Sequence, residues 1–234
     1  MHVKKKRNGC IDIWNAFMVT GATFDYYDIP FCPTTATENP ADLISYADAM
    51  TIYHKEMSLG HKDFFFDSFI HAYIDDQKFD GKNVGVWNKP FEALEMFKHF
   101  AGVITFDFST YIDFPNPLKI WNTYRMRALG YWLTQNGIKV INNVRWGNED
   151  TWDFSFSGLP DNSMYFIGVA GSGLKFLENR HTFDTGLMEF IRRKAPQTLL
   201  IYGSDNYHIF SQIRDLGIDV ISYKGDTCRA YEGR

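Results

Sequence analysis

Cysteine is scarce in this sequence, and its spacing excludes several kinds of site. Cys10, Cys32 and Cys228 are the three cysteines in 234 residues, and they are far apart. A disulfide-stabilised scaffold needs a denser and even set of cysteines, and an iron–sulfur cluster needs several of them. No cysteine pair and no His-Glu-x-x-His pattern has the spacing of a zinc site. We therefore expect neither an iron–sulfur cluster nor zinc, and the sequence leaves any other cofactor unknown.

Long apolar runs are also missing. No segment approaches the ~20 apolar residues that a membrane-spanning helix needs. The basic residues 4–7 are not followed by the apolar core of a secretory signal peptide. Together with the scattered cysteines, this predicts a cytoplasmic protein without a membrane partner. We interpret residues 4–7 as a solvated tail, with contact to phosphate as the alternative.

Positive charge is not in excess. Lys and Arg number 24 against 28 Asp and Glu, so the formal net charge is −4 at pH 7. This balance argues against attraction of the whole surface to nucleic acid and leaves a local basic groove open. The glycine patterns of dinucleotide-binding and P-loop proteins and the Gly-x-Ser-x-Gly elbow of hydrolases are absent as well. Nucleic acid therefore stays an open question among the partners.

Aromatic residues are unusually common. The chain has 21 Phe, 13 Tyr and 6 Trp, which together make up 17% of its residues. Many of these rings must pack in the core. A set this large also suits a pocket in which rings stack on sugars or bases.

Three junctions indicate a repeated βα unit. Gly102, Gly137 and Gly217 each follow a predicted helix and precede a short apolar, β-branched segment. Glycine past a helix takes the left-handed cap conformation at low cost, and a buried strand follows. We predict an α/β fold, an incomplete (β/α) barrel of about six parallel strands over residues 63–234, with residues 1–62 as an N-terminal extension packed on it. An open doubly wound sheet is the alternative.

The predicted elements place polar residues where strands end. The strands are predicted at residues 69–74, 103–107, 138–144, 164–169, 198–202 and 218–222, and a helix of the extension is predicted to begin near residue 40. Nearly every strand is followed by polar or glycine-rich residues. This favours the barrel, in which all carboxyl ends of the strands ring one edge, which we call the mouth.

Two acids at strand ends are the candidate catalytic residues. Asp75 and Asp107 follow the first two predicted strands, and neighbouring strand ends are ~5 Å apart. Acids at such positions share a metal ion or divide the acid and base roles. The alternative for both is a capping role, which we favour for Asp76 and Asp113. No metal ligand is assigned.

Residues after the later strands are the candidate ligand contacts. Arg145 suits a phosphate or carboxylate, and Trp146 a ring, with a surface ion pair beside a core tryptophan as the alternative. Gly171, Ser172 and Gly173 follow the next strand, and Ser204 follows the one after that. Backbone N–H groups of such loops bind phosphate in many barrels, although plain turns explain the same residues.

Arg125 breaks the pattern of its helix. It lies on the apolar stripe seven residues after Leu118 and four after Trp121. A buried arginine needs an anionic partner, and we predict Asp107 or Asp113 as that partner. Clamping of an anionic ligand is the alternative.

Several linked motifs resemble a known family. They are Ile-Asp-Asp-Gln-Lys-Phe at residues 74–79, Asp-Phe-Ser-Thr-Tyr-Ile-Asp-Phe-Pro at 107–115 and Ile-Trp-Asn-Thr-Tyr-Arg at 120–125. Over about residues 60–205 the chain resembles a family of uncharacterised bacterial, prophage and mobile-element proteins that is known as a domain of unknown function. The resemblance implies a cytoplasmic protein connected with phages or mobile elements, and it implies no reaction.

Two hypotheses of function follow. The first is binding of a phosphorylated or nucleotide-like ligand at a carboxylate-lined mouth, with hydrolysis as one form of it. The second is a non-catalytic protein that binds a host or phage defence or replication component. A glycosidase with Asp107 and Glu149 as its carboxylates is a third, weaker option. Whether the protein is an enzyme stays open.

Overall fold

The computed structural model describes residues 9–83, 85–226 and 228. Within this part the chain forms one curled sheet of seven parallel strands. The strands are β1 Leu43–Ser45, β2 Phe66–His71, β3 Phe100–Ile104, β4 Val140–Asn143, β5 Met164–Gly168, β6 Thr198–Tyr202 and β7 Asp219–Tyr223. The basic residues 4–7 lie outside the described part.

The order of the strands confirms the incomplete barrel. Each strand pairs in parallel with the next one along the chain, from β1 to β7. A doubly wound sheet reverses its strand order at a switch point, whereas this order runs in one direction throughout. The sheet curls into a half-barrel, and all its carboxyl ends lie at one edge, as the mouth requires.

The helices lie on the convex face of the sheet. They are α1 Tyr46–Ser58, α2 Pro90–Phe97, α3 Asn116–Gln135, α4 Trp152–Ser155, α5 Leu177–Lys194 and α6 His208–Asp215. Strand residues such as Val103 pack with Leu129 of α3, and Ile201 packs in a second cluster with Leu187 of α5. Since alternate residues of a strand face opposite sides, the other set points into the concave face, where Ile104, Phe166 and others form a third cluster.

The predicted extension contributes to the sheet. A helix was expected from about residue 40, but residues 43–45 form β1, and α1 begins at Tyr46. Ser45 caps α1 by accepting the Asp48 N–H at 3.1 Å. Pairing with β2 explains the difference, because tertiary pairing overrides the local helix pattern.

Residues 32–36 cross the sheet between β4 and β5. The Thr35 N–H donates to the Val140 carbonyl at 2.9 Å, and the Thr34 hydroxyl donates to the Met164 carbonyl at 3.4 Å. Cys32 belongs to the core on the convex face, and Ala36 belongs to the cluster on the concave face. The chain thus reaches β1 by passing between the beginnings of two strands.

The glycine junctions fulfil their predicted role at two of three places. Gly137 and Gly217 follow α3 and α6 with φ of 79° and 81°, which is the left-handed cap conformation. The prediction for Gly102 was wrong, since this residue lies inside β3. There the absence of a side chain leaves room for the Phe69 ring, whose nearest atom would be 2.3 Å from an added Cβ.

Candidate functional site

Four polar side chains are linked at the mouth between β2 and β4. Arg145 Nη1 donates to Asp107 Oδ2 at 2.6 Å, and Asn143 Nδ2 donates to Asp107 Oδ1 at 2.8 Å. The Tyr73 hydroxyl donates to Asn143 Oδ1 at 2.9 Å. We call these residues the mouth network. Because its members come from three strand ends, the network exists only in the folded sheet.

The mouth network orients Arg145 and leaves some N–H donors of its guanidinium without an acceptor among the described residues. Its side chain is 29% exposed, and the charge of Asp107 raises the pKa of its guanidinium. Within the described part of the chain, its Nε and Nη2 atoms have no hydrogen-bond acceptor. The Tyr111 ring lies beside it, with the centroid 5.6 Å from Arg145 Cζ. The guanidinium can therefore bind a further anion while it remains fixed by Asp107.

Tyr73 fills the interior of the mouth. Its ring stacks on Tyr202 at 4.6 Å between centroids and lies against Gly168, where an added Cβ would be 2.8 Å from the ring. Burial, followed by the charge of Asp107, raises the pKa of the Tyr73 hydroxyl. The two stacked rings therefore fill the space inside this edge, where Tyr202 is 3% exposed.

His71 lies beneath Tyr73 and is fully buried. Its Nδ1 accepts the Tyr73 N–H at 3.2 Å, so the proton of the neutral ring is on Nε2. Nε2 lies 3.5 Å from Asp226 Oδ1. His71 thus supports the position of Tyr73 from within the sheet.

A second polar network holds the segment after β3 from the convex side. Arg125 donates to Asp80 at 2.6 Å and to Asn122 at 2.7 Å, and its guanidinium lies 3.9 Å from the Phe108 ring centroid. Asn122 in turn donates to the carbonyl of Ser109. The predicted burial of Arg125 is confirmed, at 9% exposure.

The predicted partner of Arg125 was wrong. Asp107 and Asp113 were expected, but Asp80 is the carboxylate that pairs with it. Asp107 follows β3 on the concave side, where it meets Arg145, whereas α3 lies on the convex side. The role inferred for Arg125, which is to hold the loop after β3 in shape, agrees with its contacts to Asn122 and Phe108.

The two acids after β2 have different surroundings. The Asp75 side chain is 83% exposed, and its ion pair is with Lys78 at 3.8 Å. Asp76 accepts the Ser109 N–H at 3.2 Å and the Ser109 hydroxyl at 2.9 Å. This agrees with the capping role favoured for Asp76. The structure joins Asp107 to Arg145, and it places Asp75 on the surface of the mouth apart from that pair.

Trp146 lies just beyond β4, and its ring points away from Arg145. Its ring lies against Gly186 of α5, where an added Cβ would be 2.2 Å from the indole, and tilts against Phe183 at 5.3 Å. These contacts belong to the core of the convex face. The indole therefore packs between the sheet and α5, away from the guanidinium of the preceding residue.

The glycine-rich loops after β5 and β6 are neighbours and contain tight turns. Gly171 and Gly173 have φ of 82° and 69°, values that favour glycine. Ser172 donates its N–H and its hydroxyl to the Val169 carbonyl, at 3.2 and 2.6 Å. Ser204 accepts the Asn206 N–H at 3.2 Å. The turn interpretation thus accounts for Ser172 and Ser204, and both loops open onto the mouth.

A comparison with protein families covers most of the chain. Residues 23–224 match the family described as Domain of unknown function (DUF4417). The chain belongs to this family. The match includes every member of the mouth network and both residues of the Arg125–Asp80 pair, so the site lies wholly inside the DUF4417 region.

The curated relatives come from phages. The chain is 34% identical over 140 residues to the Gene 1 protein of Mycobacterium phage D29, covering 59% of this chain and 49% of the relative. It is 33% identical over 135 residues to the Gene 1 protein of Mycobacterium phage L5, covering 57% of this chain and 56% of the relative. The chain thus spans about half the length of these relatives. No solved structure matches it significantly.

Sequence reasoning missed three residues of this DUF4417 site. Tyr73 continues the alternation of Phe69 and His71 on one face of β2, and Asn143 is an amide inside an apolar strand. The alternation along β2 could have identified Tyr73, and the amide within an apolar strand could have identified Asn143. Arg127 is fully buried, and it donates to three backbone carbonyls at 3.2 Å, among them that of Asn143. Burial lowers the pKa of Arg127 to about 10.

The amino ends of the strands, opposite the mouth, border cavities. A cavity of about 610 Å³ lies beside Met164 and Thr198. A second one, of about 420 Å³, lies beside Phe100 and Lys139, also at the amino ends of the strands. Among the described residues, no group of three or more His, Cys, Asp or Glu is placed to hold a metal ion. No helix in the described ranges is long and apolar enough to cross a bilayer.

Proposed function

We propose that the mouth binds a phosphorylated or nucleotide-like ligand and that Arg145 is its anion contact. The observation behind this is the state of Arg145: one edge of the guanidinium is fixed by Asp107, and two N–H-bearing atoms have no acceptor in the described structure. A planar guanidinium in a fixed orientation suits the oxygen atoms of a phosphate group. Because the guanidinium is already held in one orientation, less conformational entropy is lost when a ligand binds.

The neighbouring loops support the same ligand class. Pairing of Asn143 with Phe166 in β4 and β5 brings Arg145 alongside the residues that lead into Gly171 and Gly173. Glycines allow a ligand to approach the backbone closely. Asp107 offsets part of the charge of Arg145, so the proposed contact depends on the directed N–H groups of the guanidinium more than on net positive charge.

Asp107 acts in this proposal as a positioning residue. Both of its oxygen atoms accept hydrogen bonds, from Asn143 and from Arg145. A general base needs a lone pair directed at the substrate. The proposed function of the mouth is therefore binding, with Asp107 holding Arg145 in place.

A thermal-shift experiment tests the anion contact. The melting temperature is measured in phosphate and in chloride at matched ionic strength for the wild type, Arg145→Gln and the control Arg192→Gln. Arg192 is a 69% exposed arginine of α5 that pairs with Glu189. At a hundredfold excess over its dissociation constant, a ligand adds about 2.7 kcal/mol of stability. We expect a phosphate-specific rise in the wild type and the control and none in Arg145→Gln. An equal rise in all three places the anion elsewhere.

We propose protein binding as a second candidate, because apolar side chains are exposed around the mouth. Tyr111 and Ile112 after β3 are 56% and 63% exposed, and Phe176 and Leu177 after β5 are 59% and 76% exposed. Exposed apolar residues grouped at one edge are typical of docking surfaces. This candidate corresponds to the hypothesis of a host or phage partner. Binding of a purified candidate partner, lost in Phe176→Asp, would test it.

A further inference from the structure

Cations and aromatic rings are paired at three places around the mouth. The charged atom lies 5.1 to 5.6 Å from the ring centroid in each case, which is within the range of a cation–π contact. The pairs are Arg145 with Tyr111, Lys175 with Phe176, and Arg180 with Tyr207. We call these six residues the cation–aromatic rim.

The rim follows the order of the strands. Arg145 follows β4, Lys175 lies between β5 and α5, and Tyr207 lies between β6 and α6. Because β4, β5 and β6 are successive neighbours, their loops follow one another along the edge. Adjacent strands are about 4.8 Å apart. The pairs therefore form a row along half of the mouth.

Two of the three rings of the rim are open to solvent, and Tyr207 is partly buried against the core of the convex face. Phe176 is 59% exposed and Tyr111 is 56% exposed. Tyr111 is supported on one edge by Phe114, at 5.4 Å between centroids. A supported and exposed ring next to a cation offers a face for stacking and a charge for a phosphate.

Both acids and cations lie around the mouth. Exposed acids lie on both sides of the rim: Asp75 after β2, Asp113 in the same loop as Tyr111, and Glu149 and Asp150 in the segment after Arg145. On the β6 side, Asp205 is paired with Arg214. Glu178 is exposed near Lys175, but it lies in the first turn of α5, where the helix dipole stabilises it. Arg145, Lys175 and Arg180 are therefore the cationic contacts that the rim offers between these acids.

The rings beneath the rim favour an extended ligand. Tyr73 and Tyr202 are stacked inside the mouth. Because these rings fill the interior and Tyr202 is 3% exposed, a ligand lies along the rim, and to reach several loops it must be elongated and carry several anionic groups. Flat groups between the anions would use the exposed rings.

We propose that the cation–aromatic rim binds single-stranded nucleic acid. Bases stack on Tyr111 and Phe176, and phosphates contact Arg145, Lys175 and Arg180. This inference rests on the proposed function, since Arg145 is the shared anion contact, and it extends that function from one phosphorylated group to a strand. Stacking on exposed rings tolerates any base, so we expect little dependence on sequence.

Fluorescence anisotropy with a labelled strand of roughly 12 nucleotides, within the length that one small domain covers, tests the proposal. Phe176→Ala is compared with Phe65→Ala, because Phe65 is 63% exposed and lies at the amino ends of the strands. We expect Phe176→Ala to weaken binding by about 5-fold to 150-fold, the factor that a loss of ~1–3 kcal/mol per stacked base gives. Phe65→Ala should bind as the wild type does.

A charge variant tests the phosphate contacts. Lys175→Gln is compared with Lys139→Gln, an exposed lysine before β4 at the opposite edge. Loss of one phosphate contact should reduce the slope of log affinity against log salt by about 0.7 for a single strand. Lys139→Gln should leave the slope unchanged. Equal slopes for the two variants would overturn the proposal.

The remaining outcomes separate this proposal from the proposed function. Equal affinity of Phe176→Ala and Phe65→Ala, or equal binding of a duplex and a single strand, overturns binding along the rim. A phosphate-specific thermal shift without any strand binding also overturns it, while the role of Arg145 in anion binding stands. Strand binding that is unchanged in Arg145→Gln overturns Arg145 as a contact of the strand, while the phosphate thermal shift of the same variant decides the proposed function.

Discussion

The guanidinium of Arg145 and the carboxylate of Asp107 are 2.6 Å apart across the ends of β4 and β3. Each is the polar residue that follows a buried strand, and 38 positions separate them in the chain. The sheet brings them together because both point to its concave face. Their pairing sets the orientation of Arg145, the arginine that both proposals share as an anion contact.

The Asp107–Arg145 pair should be energetically coupled. We expect a double-mutant cycle with Asp107→Asn and Arg145→Gln to give about 1.5–3 kcal/mol, since these are charge-assisted hydrogen bonds in a partly buried setting. The Glu189–Arg192 pair is the control, and its exposed arginine should give about 0.2–1 kcal/mol. Urea unfolding measures both cycles. Equal coupling in the two pairs would contradict a structured mouth network.

Gly168 should be intolerant of a side chain. Gly168→Ala places a methyl group 2.8 Å from the Tyr73 ring, and we expect a loss of about 1–3 kcal/mol from overpacking. Gly225→Ala is the control, because its nearest neighbour would be at 3.6 Å. The midpoints of urea unfolding of the two variants measure this loss of stability. A Gly168→Ala protein as stable as Gly225→Ala would mean that Tyr73 does not lie across β5.

The Arg125–Asp80 pair should be important for stability. Arg125→Met leaves the Asp80 carboxylate, 21% exposed, without its counter-ion. Breaking a buried pair costs about 3–5 kcal/mol, and the partial exposure here places the expected loss at or below the lower limit. Lys98→Met removes an exposed pair with Glu95 and should cost under about 1 kcal/mol. Identical unfolding midpoints for the two variants would argue against the Arg125 contacts.

Cys32 should resist modification in the native protein. Burial raises the pKa of its thiol to about 12, so the reactive thiolate is absent near pH 8. The ordinary value is 9.0, and the folded state therefore holds a proton that the unfolded state releases between pH 9 and about 12; stability falls as the pH rises through that window. Cys10 and Cys228 are exposed. A thiol reagent should label both of these without denaturant and Cys32 only after unfolding. Rapid native labelling of Cys32 would show that residues 32–36 are not held between β4 and β5.

The sequence was sufficient for the fold class because the βα pattern is local. A glycine cap followed by a buried strand recurs at Gly137 and Gly217, and sequential repetition implies a parallel sheet. β1 was missed because its three residues carry little local signal and are fixed by pairing with β2. The prediction for Gly102 failed because glycine is required both at a helix cap and where a ring packs closely on a strand, and the sequence does not distinguish the two.

For the site, the residues that follow the strands were predictable from the sequence, and the contacts made by long side chains were not. Asp107 and Arg145 were identified separately as residues after strands, and their contact follows from neighbouring strand order. Tyr73 reaches from the end of β2 to Gly168 of β5, a distance that no local pattern encodes. Trp146 follows Arg145 directly, yet its ring points away from Arg145 and packs against α5. The partner of Arg125 depended on which face of the sheet each acid occupies.

Calorimetric titration with a nucleoside 5′-monophosphate, and with the same nucleoside without phosphate, tests the central claim most directly. The wild type, Arg145→Gln and Arg145→Lys are compared. We expect the wild type to bind the monophosphate at least about tenfold more tightly than the nucleoside, which corresponds to ~1.4 kcal/mol. Arg145→Gln should lose this preference, and Arg145→Lys should retain part of it, because a lysine keeps the charge without the planar donors. A preference that is unchanged in Arg145→Gln would contradict the assignment of Arg145 as the anion contact.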